Sequence, residues 1–368
     1  MKMNDTKTES PHYAKMSQAT AISLGLVRGR MYRGAVNRCV NLLVHYPEGC
    51  SANCAYCGLA KKRPGTYREK SFIHVDWPVF SMDEIVHAIN QAPSYIKRTC
   101  ISMITNGKCR RDTLEMTRRL KNDTSLPISL LISPTIMERE DLVAMKNAGA
   151  DKIGVAIDLA TPELFEKYRG KGVSGPHKWE KYWEILEAAL DVFGPPHVGV
   201  HLMVGMGETE EQMVSLMQKL RRMGVMNHLF SFFAEKGSQL GDRPQPPWPT
   251  YLRVQLVRYL MEEGLGSLED MKFDDQGRLI GFGMDGTRLM EIVNLGTPFM
   301  TTGCVGPDGQ VACNRPFGNC LPDDRQWNYP YPPNEEELAL IRDHIFKVEA
   351  TPQHPALKSC TVTPVQNA

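Results

Sequence analysis

What most constrains this chain is an alternation, running through most of its length, of short apolar runs with longer amphipathic stretches. The apolar runs are Val40 to His45, Cys100 to Thr105, Ile128 to Ile132, Lys152 to Ile157, Val198 to Val204 and His228 to Phe233. Runs of that length with few polar positions read as buried strands. Between them the spacing predicts helices over Met82 to Gln91, Arg111 to Lys121, Glu138 to Ala148, Pro162 to Arg169, Trp179 to Val192, Glu208 to Met223 and Thr250 to Glu263. Ser81 and Glu84 make a capping box at the first of these helices. Repeated strand-helix units imply a parallel sheet with right-handed crossovers, an open doubly wound sheet or a (β/α) barrel. Two weaker segments, Ser267 to Phe273 and Gly296 to Thr301, would raise the strand count to eight.

Ala14 to Tyr32 reads as an N-terminal helix with Ile22, Leu24, Leu26 and Val27 on its apolar side. The expected division is a leader and helix over 1–35, the α/β barrel over 36–303 and a C-terminal segment over 304–368 carrying one helix, Glu335 to Lys347. With 43 basic and 42 acidic residues the net charge is +1, so no global field draws the protein to nucleic acid or an anionic membrane. No basic stripe with interleaved aromatics points to nucleic acid. The polar opening and the lack of a long apolar stretch lead us to expect a cytoplasmic protein with no membrane span. In that reducing compartment the ten cysteines are read first as metal ligands or catalytic thiols.

Three of them lie in GCSANCAYCG, Gly49 to Gly58, directly after the first strand, where a parallel sheet places its active-site loops. Cys50, Cys54 and Cys57 can occupy three corners of one cubane and leave the fourth iron open to a small ligand. A zinc site would bring a further Cys or His at ligand spacing, and His45 lies on the wrong side of the motif, within the strand.

The CxxxCxxC spacing, with Tyr56 before the last cysteine, resembles the signature of the radical S-adenosylmethionine (SAM) superfamily. The resemblance implies a radical SAM (β/α) barrel, complete with eight strands, and a [4Fe-4S] cluster whose open iron binds SAM and generates a 5'-deoxyadenosyl radical. It also implies that Tyr56 contacts adenine. At the end of the second strand, ITNG makes Thr105 and Asn106 candidates for the SAM amino group, and AIDLATPELF makes Asp158 a candidate ribose ligand. HLMVGMGET, His201 to Thr209, is similar to an adenine-binding pattern and nominates His201, Met203, Gly205 and Glu208; Lys181 falls near a basic residue that pairs with SAM's carboxylate.

A second constellation occupies TTGCVGPDGQVACNRPFGN, a glycine- and proline-rich stretch that, with the next residue, can gather Cys304, Cys313 and Cys320. We read it as the seat of an auxiliary iron-sulfur cluster, with Cys100, Cys109 or Arg315 as the fourth ligand. RTCISM resembles biotin synthases at Cys100, although their cysteines on strands three and five have no counterpart here. Cys39 and Cys360 are assigned structural or incidental roles.

GMGET, FFAEKGS and the late GC...ACNRPF segment together resemble one component of the two-component lipoyl synthases, over roughly Arg30 to Asn319. That resemblance implies hydrogen abstraction from an octanoyl-lysine on a lipoyl-carrier domain and sulfur supplied by the auxiliary cluster. The partners would be that carrier, a second radical SAM component, and a reductant such as ferredoxin or flavodoxin. No catalytic acid or base is expected, since abstraction from an unactivated carbon needs none. The alternatives are a biotin-synthase-like or methylornithine-synthase-like enzyme on a free small molecule, and an iron-sulfur electron carrier or scaffold.

Overall fold

The computed structural model describes residues 8–73, 75–318, 322 and 325–347. Its strands are β1 (Tyr13–Met16), β2 (Cys39–Val44), β3 (Val79–Ser81), β4 (Arg98–Ser102), β5 (Ile128–Ile132), β6 (Ala150–Asp158), β7 (Val198–Val204), β8 (Met226–Ser231), β9 (Lys272–Phe273) and β10 (Leu279–Gly281). The helices are α1 (Gln18–Ser23), α2 (Met82–Asn90), α3 (Cys109–Asp123), α4 (Arg139–Asn147), α5 (Pro162–Tyr168), α6 (Trp179–Phe193), α7 (Glu210–Arg222), α8 (Trp248–Glu262), α9 (Gly286–Asn294) and α10 (Glu335–His344). All six predicted strands and all seven predicted helices of the repeating region are present, and Ser81 with Glu84 closes the expected capping box on α2.

The main sheet has eight strands in the order β3-β1-β2-β4-β5-β6-β7-β8. β2, β4, β5, β6, β7 and β8 run parallel. The α/β class and the count of eight agree with expectation, but two members differ. β1 and β3 join the edge antiparallel, Ala14 pairing with Val44 and Phe80. Ser267 to Phe273 instead forms a 3-10 turn and the small hairpin β9-β10, and Gly296 to Thr301 forms a 3-10 turn with one bridge, Met300 to Tyr329. Both segments are too short and too broken by turns to extend the ladder. Among the described residues the strand pairings run from β3 to β8, with none between those two.

The N-terminal segment also departs from expectation. Residues 13–16 are strand, and the helix is confined to Gln18–Ser23 because Gly25 at φ +73° reverses the chain. Among the described residues, no helix is long and apolar enough to cross a membrane.

Alternation along the parallel strands sorts the core. Leu130, Val155, Val200 and Leu202 are fully buried, on the side opposite to Leu131, Ala156, His201 and Met203, which line an interior cavity. Each such aliphatic side chain contributes roughly 1.5–3 kcal/mol by leaving water. The C-terminal segment packs against the sheet and α8: Arg98 donates to the Val305 carbonyl at 2.9 Å, Arg38 to that of Val311 at 3.0 Å, and Trp248 of α8 to that of Gln326 at 3.0 Å.

Candidate functional site

The loop after β2 carries the first set. Its backbone is fastened on every side: Ser51 donates N–H and hydroxyl to the Thr105 carbonyl, each at 2.8 Å, Ala55 N–H bonds the Tyr168 carbonyl at 2.8 Å, and Leu240 N–H bonds the Ala55 carbonyl at 3.0 Å. Asn53 donates to the Val173 carbonyl at 2.8 Å. Lys15 of β1, fully buried, reaches the carbonyls of Tyr67, Arg68 and Lys70 at 2.6, 3.2 and 3.4 Å. At Gly58 a Cβ would stand 2.2 Å from the Ser71 carbonyl, so only glycine lets the loop turn there.

Burial raises the thiol pKa of all three cysteines, Cys54 to about 11, opposed at Cys54 by the Arg169 charge. Metal ligation reverses that preference, because a bound metal takes the thiolate. Three soft donors held on a short, fixed loop fit a cubane with one open iron. Among the described residues no group of three or more His, Cys, Asp or Glu is arranged to hold a single metal ion. A cubane does not ask for that, since each thiolate binds a different iron.

Beside this loop lies a buried polar network. Tyr56 donates its hydroxyl to Asp158 at 2.6 Å, and Arg169 pairs with the same carboxylate at 3.1 Å. Arg169 also donates to Tyr182 at 2.9 Å and to the Ala156 and Ile157 carbonyls. Asp158 holds φ +65° at the end of β6, an unfavourable backbone that the surrounding bonds enforce. Arg169 was not anticipated. The only cue was its position immediately after α5, on the strand-end side of the sheet.

Several expected SAM contacts have other engagements. The carbonyl of Thr105 holds Ser51 and its hydroxyl pairs with Ser133 at 2.9 Å, while Asn106 bonds the Gly49 carbonyl at 3.1 Å. Both brace the cluster loop. Glu208 accepts from the Gly205 and Met206 amides at 2.6 and 2.9 Å, so its carboxylate takes the backbone donors expected to meet adenine. Gly205, at φ +106°, leaves no room for a Cβ, which would lie 2.7 Å from Pro246.

Lys181 is a correction. It sits on α6 with its ammonium between Glu138 and Glu184, at 3.0 and 2.7 Å, on the outer surface between α4 and α6. The helix period points it away from the interior. Its place as a cation near the first cysteine set is taken by Arg169.

The second set gathers at the opposite end of the parallel strands. Cys39, Cys100 and Cys313 form a buried cluster with Cys304 packed against it. Cys39 opens β2, and Asn41, on the same face, is the register partner of Cys100 on β4. The late loop folds back on itself so that the Ala312 and Cys313 amides both bond the Cys304 carbonyl, at 2.9 and 3.0 Å, which sets the last two cysteines side by side. Asn41 donates to the sulfurs of Cys39 and Cys313 at 3.5 and 3.6 Å.

Cys39, assigned a structural or incidental role, thus joins the set: strand parity puts it beside Cys100. Cys109 begins α3, where its neighbour is Thr113, and does not join the set. Cys320 lies outside the described residues. Hydrogen bonds from Cys100 and Cys39 and the nearby Arg315 hold the Cys313 thiol well below the usual range. Four converging sulfurs and a partly buried cation beside them suit an anionic iron-sulfur group.

Between the two sets lies a cavity of about 140 Å³. Tyr56 and Cys57 border it on one side and Arg315 and His201 on the other, with Leu131, Met203, Phe230 and Phe232 along its wall. His201, expected as a core residue or an adenine contact, lies within 3.2 Å of Arg315 through its Nε2.

The chain is similar to known proteins over part of its length. Residues 44–220 match the Radical SAM superfamily. Biotin synthase of Streptococcus agalactiae is 26% identical over 209 residues, covering 55% of this chain and 58% of that protein. Biotin synthase of Cutibacterium acnes is 26% identical over 268 residues, 69% of each chain. The chain thus spans 58% of the length of the streptococcal relative. Among solved structures, methylornithine synthase aligns with a TM-score of 0.46 at 15% identity, covering 65% of this chain and 67% of that one. The superfamily match and the biotin synthase relatives imply a [4Fe-4S] cluster and SAM as cofactors. Residues 44–220 are thus similar to the radical SAM superfamily, and the chain is similar to biotin synthases over part of its length.

Proposed function

We propose that the chain is a sulfur-inserting radical SAM enzyme, one component of a two-component lipoyl synthase acting on octanoyl-lysine of a lipoyl-carrier domain. The observation that carries the reading is the cavity bordered on one side by Tyr56 and Cys57 and on the other by the Arg315 side of the second cysteine set. In this reading Cys50, Cys54 and Cys57 hold one cluster, and Cys39, Cys100, Cys304 and Cys313 hold another. When bound, these groups supply the electron that cleaves SAM and the sulfur that fills the position from which hydrogen is removed.

The chain's own residues position and exclude. Met203, Phe230 and Phe232 offer apolar wall to a saturated acyl chain and displace water from it. Asp158 and Arg169 satisfy each other, so the first cysteine set is enclosed without an uncompensated charge. Glu235 lines the cavity and accepts from Ser71 at 3.0 Å, which ties the cavity wall to the cluster loop. A second radical SAM component and a low-potential electron carrier complete the proposed system.

A free small-molecule substrate is the second reading, favoured by the biotin synthase relatives. The test is anaerobic turnover of octanoylated lipoyl domain with SAM and reductant, with and without the partner component, followed by peptide mass spectrometry. We expect deoxyadenosine together with thiolated octanoyl-lysine. Cys39→Ser should still form deoxyadenosine but transfer no sulfur, whereas Cys50→Ala, Cys54→Ala and Cys57→Ala combined should abolish both. Deoxyadenosine without any thiolated octanoyl peptide, partner present, would overturn the lipoyl reading. Iron content should fall from about eight to about four in either case.

A further inference from the structure

Arg315 is partly buried at the cavity wall, with its guanidinium beside the second cysteine set. Its charge is answered by Cys313, Cys100 and Cys39. The residue adopts φ +31°, a conformation a non-glycine side chain takes only under constraint, and this directs the guanidinium inward. There it lies over the Phe230 ring at 4.7 Å and donates to His201 Nε2 at 3.2 Å. A guanidinium can only donate, so His201 accepts at Nε2 and carries its proton on Nδ1. Burial first, then the Arg315 charge, keeps His201 well below the ordinary histidine range. The ring itself packs on Phe230 and His228, at 5.1 and 5.7 Å, so the acceptor cannot swing away.

We propose that Arg315 is the counter-charge of the second cysteine set, donating to Cys313, and not one of its ligands, with His201 as the positioning residue that fixes the guanidinium. This rests on the reading that Cys39, Cys100, Cys304 and Cys313 hold a cluster. Two arguments support the division of roles. Four thiols already converge, which is the full complement a [4Fe-4S] cubane takes. A protonated guanidinium has no lone pair to give a metal, and it does not lose its proton in proteins. A buried positive charge does, however, favour the more electron-rich state of a neighbouring anionic group. The second centre should therefore have its potential raised by Arg315, and lowered when that charge is removed.

The experiment uses the full chain with Cys50, Cys54 and Cys57 all changed to Ala, reconstituted anaerobically, so that the second centre is observed alone. Iron and sulfide are counted and the midpoint potential is measured by an EPR-monitored redox titration. The parent should hold about four irons. Arg315→Gln should keep that iron and shift the potential downward, Arg315→Lys should shift it less, and His201→Phe should shift it in the same direction with the arginine still present. Loss of iron in Arg315→Gln with retention of iron in Cys39→Ser would make the arginine a ligand and overturn the proposal. An unchanged potential in both Arg315→Gln and Arg315→Lys would overturn it too. A parent that binds no iron defeats the second-cluster reading itself, before any Arg315 variant is measured.

Discussion

The two cysteine sets differ in how they are built. Cys50, Cys54 and Cys57 share one loop that much of the chain then fastens, from Lys15 in β1 to Leu240 beyond β8. Cys39, Cys100, Cys304 and Cys313 come from two neighbouring strands and one distant hairpin loop, and sheet register brings them together. Their electrostatics differ as well. The cation of the first set, Arg169, has a carboxylate partner in Asp158, while that of the second, Arg315, has the cysteines and His201 as its partners among the described residues. A set neutralised by its own ion pair should tolerate losing its metal better than one whose cation needs a metal-bound anion. On the proposed reading the first set is a preformed cradle, and the second would be stabilised mutually by its cation and the group it holds.

The comparison can be broken most directly at Arg169. Changing it to Met removes the partner of Asp158, the bonds to Tyr182 and two carbonyls, and a cation ringed by Phe165 and Tyr182. Removing one member of an enclosed pair costs about 3 kcal/mol. We expect a correspondingly lower melting temperature and loss of iron from the first set, with the second set's iron retained. If both sets lost iron equally, the two would be one cooperative unit and the distinction would fail.

A smaller effect should appear on acidification, again on the first set's side. His177 is buried, with its Nδ1 shared between Thr135 at 2.6 Å and Tyr182 at 3.1 Å. Burial, and then the Arg169 charge, lowers its pKa to about 2. A histidine lowered in the folded state contributes stability that is complete above its unfolded value near 6.5 and declines below it as the unfolded chain takes up protons. At pH 5 this single residue should cost the protein about 2 kcal/mol relative to pH 7.5. Chemical denaturation at the two pH values, repeated on His177→Gln, measures it: the variant should show a smaller pH difference than the parent by about that amount. Equal pH dependence in both would mean that His177 is not held neutral.

The contrast also explains what could be read from the sequence. The repeating strands and helices were legible because apolar runs and amphipathic periods are local. The first cysteine set was legible because its ligands fall within eight consecutive residues, Cys50 to Cys57. Cys39 was not, since its role depends on Asn41 standing opposite Cys100, and register is a property of the assembled sheet. The same holds for Arg169, whose polar partners lie on two other elements, and for β1, where Lys15 looks like a surface helical position until Tyr67, Arg68 and Lys70 supply its acceptors. Spacing failed differently at Lys181: sequence distance from a strand end was close to right, but one helical position decides whether a side chain meets the interior or the solvent.

Lys181 supplies the smallest and sharpest check on that point. Its ammonium bridges Glu138 and Glu184, whose side chains are each 60% exposed. Such pairs lose most of their Coulombic gain to water and to the ordering of long side chains, and are worth about 0–1 kcal/mol. Lys181→Ala should therefore change stability by no more than about 0.5 kcal/mol. Because α6 turns this residue outward, SAM affinity and deoxyadenosine formation should match the parent within error, whereas Arg169→Met should impair both. A Lys181→Ala variant with weakened SAM binding would place the basic contact back on α6 and reduce Arg169 to a structural partner of Asp158.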